Sequence, residues 1–212
     1  MGFSTRSWPK WRQLEFRWRG WLAAVCCALT LAGLSHAAPN LELQEVQIGR
    51  NEGQMVVSAQ WHMEIPAALV DALMRGVPLF FVMEAELNRE RWYFYDKRIA
   101  LAERYFRLSY LPLSQRWRVT QASQPFAGKT PGVSLAQGFD TLEEALQVIR
   151  RVTQWPIAPL SEIELDARHN LELRLRLDLN QLPRPLQIGL QGQSDWALSA
   201  VRVQRLNPEA LR

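Results

Sequence analysis

The chain has 212 residues, with 25 lysines and arginines against 21 aspartates and glutamates, a formal charge of +4. Five of the basic residues (Arg6, Lys10, Arg12, Arg17, Arg19) and one acid, Glu15, fall within the first 37 residues, which leaves 20 of each sign and no net charge in residues 38–212. The basic excess that would point to nucleic acid is therefore confined to the N-terminal segment, and no nucleic-acid partner is expected.

That segment has the three parts of a secretory signal. A basic start precedes the uncharged run Trp21–Leu34, and Ser35-His36-Ala37 places small residues around a cut between Ala37 and Ala38. The run has 14 residues, short of the roughly 20 that a spanning helix needs. Residues 1–37 are expected to be a cleavable signal peptide, and residues 38–212 a single β-sandwich-like domain in the periplasm. Retention of the leader would make it an inner-membrane anchor, the only membrane contact expected. Cys26 and Cys27 both lie in the leader, so the remainder has no disulfide, thiol nucleophile or thiolate metal site.

Beyond the leader the dominant period is two. Met55, Val57, Ala59, Trp61, Met63 and Ile65 alternate with polar residues over most of the run, the mark of a strand with one buried face. Residues 49–53 join it to Leu41–Ile48 as a hairpin. Pro66 opens a short helix with an apolar stripe at Leu69, Leu73 and Met74, and Gly76 stops it. Leu79, Phe81, Met83, Ala85 and Leu87 mark the next strand, and Asn88–Arg91 a polar turn. Trp92–Asp96 and Arg104–Leu111 read as two strands or one long bent strand, followed by a turn and Arg116–Thr120.

Residues 123–139 carry Pro125, Gly128, Pro131, Gly132 and Gly138 without periodicity, and are expected to be a long loop. Asp140–Glu144 supplies an N-cap and capping box for a helix to about Val152. In Leu171–Leu179 every odd position is leucine and the even positions through Asp178 are charged, so a one-residue slip would expose five leucines. Ile163–Leu165 is expected to pair with it. Leu186–Leu190 and Trp196–Val203 complete an antiparallel β-sandwich with two short helices, preceded by a signal peptide.

Four stretches carry a resemblance: GVPLFFVMEAELNRERWYFYD (Gly76–Asp96), RYFRLSYLPLSQRWRV (Arg104–Val119), LRLRLDLNQLPRPLQ (Leu173–Gln187) and SDWALSA (Ser194–Ala200). With the leader, they resemble the proteobacterial domain of unknown function 4390 family across nearly all of the chain beyond residue 37. The resemblance implies an exported protein of unassigned activity. It further implies an association with genes beside a membrane sensor histidine kinase of the nitrogen-regulation type.

No catalytic signature is found. Metal sites need several converging ligands, and His62 and His169 are the only histidines beyond the leader, each read as solvated. No metal and no cofactor are expected. Residues 192–196 begin like a nucleophile elbow but lack its second glycine, and read as a turn. Glu84 and Glu86 are carboxylates on one strand face and Asp178 sits on another charged face; Arg174 and Arg176 are the expected cross-strand partners of the two glutamates.

The candidate binding patch is aromatic and cationic, a composition enriched at interfaces. The cluster runs through Arg89, Arg91, Trp92, Tyr93, Tyr95, Asp96, Arg104, Tyr105, Arg107 and Tyr110, and Arg91, Trp92, Asp96, Arg107 and Tyr110 are its candidate binding residues. Alternation sends Trp92 and Phe94 one way and Tyr93 and Tyr95 the other, so one set is expected in the core. The leading reading is a non-enzymatic binding or interaction module, accessory to an envelope or membrane sensor protein. An unrecognised periplasmic hydrolase, with convergent carboxylates in a pocket under residues 123–139, and a purely structural envelope protein are the alternatives.

Overall fold

The computed structural model describes residues 40–93, 95–126, 134–164, 166–182 and 198–211. The leader, its cleavage site, Leu186–Leu190 and the turn at 192–196 lie outside the described residues. Nine strands are described: β1 (Leu41–Asn51), β2 (Gln54–Met63), β3 (Leu79–Arg89), β4 (Lys97–Leu111), β5 (Arg116–Ala122), β6 (Ser134–Phe139), β7 (Arg151–Pro159), β8 (His169–Leu177) and β9 (Ser199–Arg205). Two α-helices accompany them, α1 (Ala67–Met74) and α2 (Leu142–Arg150). The strands form a three-stranded sheet, β1-β2-β7, and a six-stranded sheet, β6-β5-β4-β3-β8-β9. Every pairing is antiparallel. The mainly β, two-sheet architecture with two helices read from the sequence is thus the one observed.

Register follows from the apolar period. β3 and β8 pair so that Phe81, Met83, Ala85 and Leu87 stand opposite Leu177, Leu175, Leu173 and Leu171. All eight side chains are buried, and each leucine removed from water contributes roughly 1.5–3 kcal/mol. Across the core lie Met55, Val57, Trp61 and Met63 of β2 and Trp155 of β7, in the same apolar cluster. A smaller cluster, Val82, Tyr105 and Ala122 with Phe126 against them, covers part of the opposite face of the large sheet.

The helices end as their residues dictate. Gly76 adopts φ +85° after α1, with its N–H on the Leu73 carbonyl at 2.8 Å and the Val77 N–H on that of Ala72 at 3.0 Å. This paired closure needs a left-handed residue, which glycine adopts without a Cβ clash. At α2 the Thr141 hydroxyl accepts from the Glu144 N–H at 3.2 Å, and the Glu144 carboxylate accepts from the Thr141 N–H at 3.4 Å.

Several local expectations are corrected. α2 ends at Arg150, and Arg151 immediately starts β7, a strand hidden in the sequence by Pro156 and Pro159. β7 is an edge strand, where a missing N–H is tolerated. Part of the expected loop at 123–139 is β6, an edge strand paired with β5 from Ala122↔Ser134 to Trp117↔Phe139. Its exposed faces give it no apolar period. Leu160–Glu162 forms a 3-10 turn, and β8 takes β3 and β9 as partners in place of Ile163–Leu165. His169 is buried at 2% exposure, not solvated, because β8 begins there and residue 169 shares the leucine parity.

Candidate functional site

The most exposed large apolar side chains that lie close together are at the tip of the β3–β4 hairpin. Pairing runs to Arg89↔Lys97, with an irregularity after Leu87, and the chain turns through Glu90–Asp96. Trp92 is 95% exposed, Tyr93 71% and Tyr95 98%. The expectation that one aromatic set enters the core is overturned for these three residues, while Phe94 lies outside the described residues. Alternating aromatics favour a strand, but a strand needs partners, and this segment projects beyond the β8 end of the sheet.

The base of the tip is fastened. The Glu90 N–H donates to the Arg168 carbonyl at 2.9 Å. The Glu90 carboxylate accepts from the Asn170 amide at 2.9 Å and lies 3.4 Å from the Arg205 guanidinium. Arg89 forms an ion pair with Glu164. Within the turn the Arg91 N–H donates to the Asp96 carboxylate at 3.4 Å, and the Trp92 and Tyr93 rings lie 5.2 Å apart. Arg91, Lys97 and Arg98 are exposed around the aromatics, with Asp96 as the acid among them.

Three of the five predicted patch residues, Arg91, Trp92 and Asp96, come together here. Arg107 and Tyr110 do not. At about 3.3 Å per residue, Arg107 lies roughly 35 Å along the strand from Asp96. Its guanidinium sits 5.4 Å from the centre of the Phe126 ring, and the Tyr110 ring lies 4.8 Å from that of Trp117. Opposite parity sends these two side chains to different faces of the sheet. Tyr93 and Tyr95 belong to the tip, as do Lys97 and Arg98, which the sequence reading left out of the patch although they adjoin Asp96.

The charged face of β3 and β8 is an ion-pair network. Both Nε and Nη2 of Arg176 donate to Glu84 Oε1, at 3.2 and 2.9 Å, and Arg174 Nη1 lies 3.6 Å from Glu84 Oε2. Arg174 also meets Glu172 at 2.6 Å, and Arg176 meets Asp178 at 3.6 Å. Beside the network the Tyr105 hydroxyl donates to Glu103 at 3.0 Å. Burial, then this hydrogen bond and the nearby carboxylates, raise the Tyr105 pKa to about 12. Glu84, Glu172 and Asp178 are neutralised by arginines in place, whereas Glu86, expected to pair with an arginine, accepts from the Asn88 amide at 2.9 Å on its own strand.

A cleft of about 350 Å³ does lie beside the 123–139 segment, where Gln121, Ala122, Ser123 and Leu135 face Arg104, Trp155 and Pro156. Glu103 is the carboxylate residue on its lining. A polar depression of about 120 Å³ lies on the small sheet around Gln60 and Arg151. His62 is 3.4 Å from Glu64 at the surface, whereas His169 Nδ1 is 3.1 Å from the Ala167 carbonyl oxygen. Among the described residues no cluster of histidine, cysteine and carboxylate side chains is placed to hold a metal ion. No described helix is long and apolar enough to cross a membrane.

Fold and tip together define a class: an antiparallel two-sheet domain that holds an aromatic and cationic hairpin end out into solvent. The chain belongs to the domain of unknown function 4390 family, whose model matches residues 38–207. No curated protein and no solved structure matches it.

Proposed function

We propose that the protein is an exported, non-enzymatic interaction module of the periplasm, and that the β3–β4 tip is the surface it offers to a membrane sensor protein. The observation that carries this reading is the tip itself. Trp92, Tyr93 and Tyr95 stay 71–98% exposed on a hairpin whose base is tied to Arg168, Asn170, Arg205 and Glu164. Leaving such groups in water forgoes the stabilisation that burial gives. Clustered aromatics with arginine on a preorganised element are what a partner's pocket recognises. The secretory pattern of residues 1–37 supports the compartment, and the family resemblance supports the class of partner.

The test is photo-crosslinking in living cells from position 95 of a tagged copy, with position 113 as the control. Leu113 is fully exposed in the turn at the opposite end of β4. Mass spectrometry then identifies both the adduct and the N-terminus of the captured chain. A start at Ala38 with one membrane protein captured from position 95 and not from position 113 is expected. An intact leader, or the same adducts from both positions, would refute the reading.

A further inference from the structure

The cleft between the two sheets holds a cation that has no counter-ion among the described residues. Arg104 occupies a core-facing position of β4, opposite Met83 of β3. Its guanidinium carbon lies 5.2 Å from the centre of the Trp155 ring. Burial lowers its pKa. No described carboxylate or carbonyl forms an ion pair or hydrogen bond with it. Desolvating a guanidinium is unfavourable unless its donors are met, and the ring face supplies a cation–π contact without accepting the planar N–H fork. Gln121 and Ser123 line the same cleft, and no described hydrogen bond uses the Gln121 amide or the Ser123 hydroxyl. Leu135, Pro156 and Ala122 make the apolar wall, and the Trp155 ring lies against the guanidinium.

The backbone that presents Trp155 is irregular on both sides. Val57 pairs with Trp155 but Ala59 with Val152, so Thr153 and Gln154 bulge opposite Ser58, and a second shift follows between Met55 and Val56. Gln154 takes φ +46°, a left-handed conformation that is strained for a non-glycine residue. It is held there by its N–H on the Ser58 hydroxyl at 3.0 Å and its side-chain oxygen on the Asn51 amide at 3.2 Å. Bulges of this kind re-aim a side chain, here Trp155 toward Arg104.

We propose that this cleft binds a small organic monocarboxylate, with Arg104 as a forked donor to the carboxylate, Gln121 and Ser123 as further donors, and the apolar wall against the body of the ligand. A guanidinium matches a planar carboxylate with two parallel hydrogen bonds. One cation with Glu103 nearby favours a monoanion over a dianionic phosphate. The cleft's volume is at the lower end of the roughly 300–1,000 Å³ range of ligand pockets, which limits the body to about the size of one ring. This site is separate from the tip, so failure of either proposal leaves the other standing.

The probe is phenylacetate, titrated into protein expressed from the full sequence, with the neutral amide phenylacetamide and inorganic phosphate as comparisons. Binding is followed by calorimetry and by the indole N–H resonance of Trp155, assigned with Trp155→Phe. Saturable binding of phenylacetate is expected, with the amide at least tenfold weaker and phosphate weaker still. Arg104→Gln is expected to weaken phenylacetate at least tenfold, and Arg104→Lys, which keeps charge without the fork, to fall between. If Arg104→Gln does not fold, Gln121→Ala is expected to weaken binding several-fold and serves in its place. A short peptide with a free C-terminus, set against its C-terminally amidated form, separates the two sources of the group. Preference for the free-terminus peptide over phenylacetate would identify a chain terminus as the source, and the reverse order a free acid. Equal binding of acid and amide, tighter binding of phosphate, or no saturable shift of the Trp155 resonance would overturn the proposal.

Discussion

Glu84 is the residue at which a structural and a catalytic role for the carboxylates predict different numbers. Its side chain is 16% exposed and that of Arg176 34%, with two contacts of 3.2 and 2.9 Å to a single oxygen. At the effective dielectric near a protein surface, unit charges about 4 Å apart attract by about 4 kcal/mol, but desolvation cancels much of this. Fully exposed pairs retain about 0–1 kcal/mol, whereas breaking a fully buried pair costs about 3–5 kcal/mol. The Glu84 pair lies between these limits. Its partners also have second contacts, since Arg174 keeps Glu172 and Arg176 keeps Asp178 when Glu84 is removed. We therefore expect Glu84→Gln and Arg176→Met each to destabilise by about 1–2 kcal/mol, with a coupling of about 1 kcal/mol in the double-mutant cycle.

The assay is urea unfolding of the four proteins at low and high salt. The coupling is expected to shrink at high salt, because a half-exposed pair is screened. Additivity within about 0.3 kcal/mol would refute the pairing, and a coupling above about 3 kcal/mol would mean the site is drier than its exposure indicates. If Glu84→Gln left stability untouched while abolishing a cellular activity, the carboxylate would be serving chemistry and not the sheet.

Three further outcomes are expected. Thr141→Ala removes the hydroxyl that accepts from the Glu144 N–H, one arm of the α2 capping box, and should cost about 1 kcal/mol in urea unfolding; a change below about 0.3 kcal/mol would show that the cap is not formed. The double variant Trp92→Ser, Tyr95→Ser should leave unfolding within about 0.5 kcal/mol of the parent, because the side chains are 95% and 98% exposed, while abolishing the crosslink from a probe moved to position 93; a large loss of stability would mean the tip packs against the domain. The third concerns alkaline pH. Tyr105 has its pKa raised from 10.0 to about 12 in the folded state, so its contribution is complete below pH 10. That contribution is lost as pH climbs toward about 12, because the unfolded chain ionises first. The ring is buried but the hydroxyl reaches the exposed Glu103, so the effect is modest; Tyr105→Phe should flatten this limb of the stability profile, and an unchanged profile would contradict the shift.

The parts of the fold legible in the sequence are those where one face is apolar and the other charged. β8 is the clearest, since Leu171, Leu173, Leu175 and Leu177 alternate with Glu172, Arg174 and Arg176 and land in the expected register. β2, β3, α1 and α2 follow the same logic of period and cap. β7 was hidden because its alternation is broken twice, by the bulge at Thr153–Gln154 and by the shift at Ile157, so no window of sequence shows a clean period. β6 was hidden because an exposed edge strand has no face to bury.

The site was legible in composition but not in grouping. Arg91, Trp92 and Asp96 lie together, because a turn keeps sequence neighbours close. Arg107 and Tyr110 were joined to them by closeness in sequence along a strand that carries them far away. Arg104 and Trp155 show the converse. They come from different sheets and meet only because the sandwich closes and a bulge turns Trp155 toward β4, and no local pattern records such an encounter.

The geometry of β4 also bears on the role proposed for the tip. β5 pairs with β4 only over Tyr105–Leu111, so Lys97–Arg104 has β3 as its described strand partner and, among the described residues, leaves one edge unpaired. An open edge of this length invites addition of a strand from another chain. Here it carries Lys97, Arg98, Glu103 and Arg104, and Ile99 is left out of the register by the irregularity beside Leu87 and Asn88. Charges and a bulge are the features by which natural sheets resist edge pairing. The proposed interaction therefore rests on side chains and not on strand addition, and the three exposed aromatics stand just beyond the guarded edge.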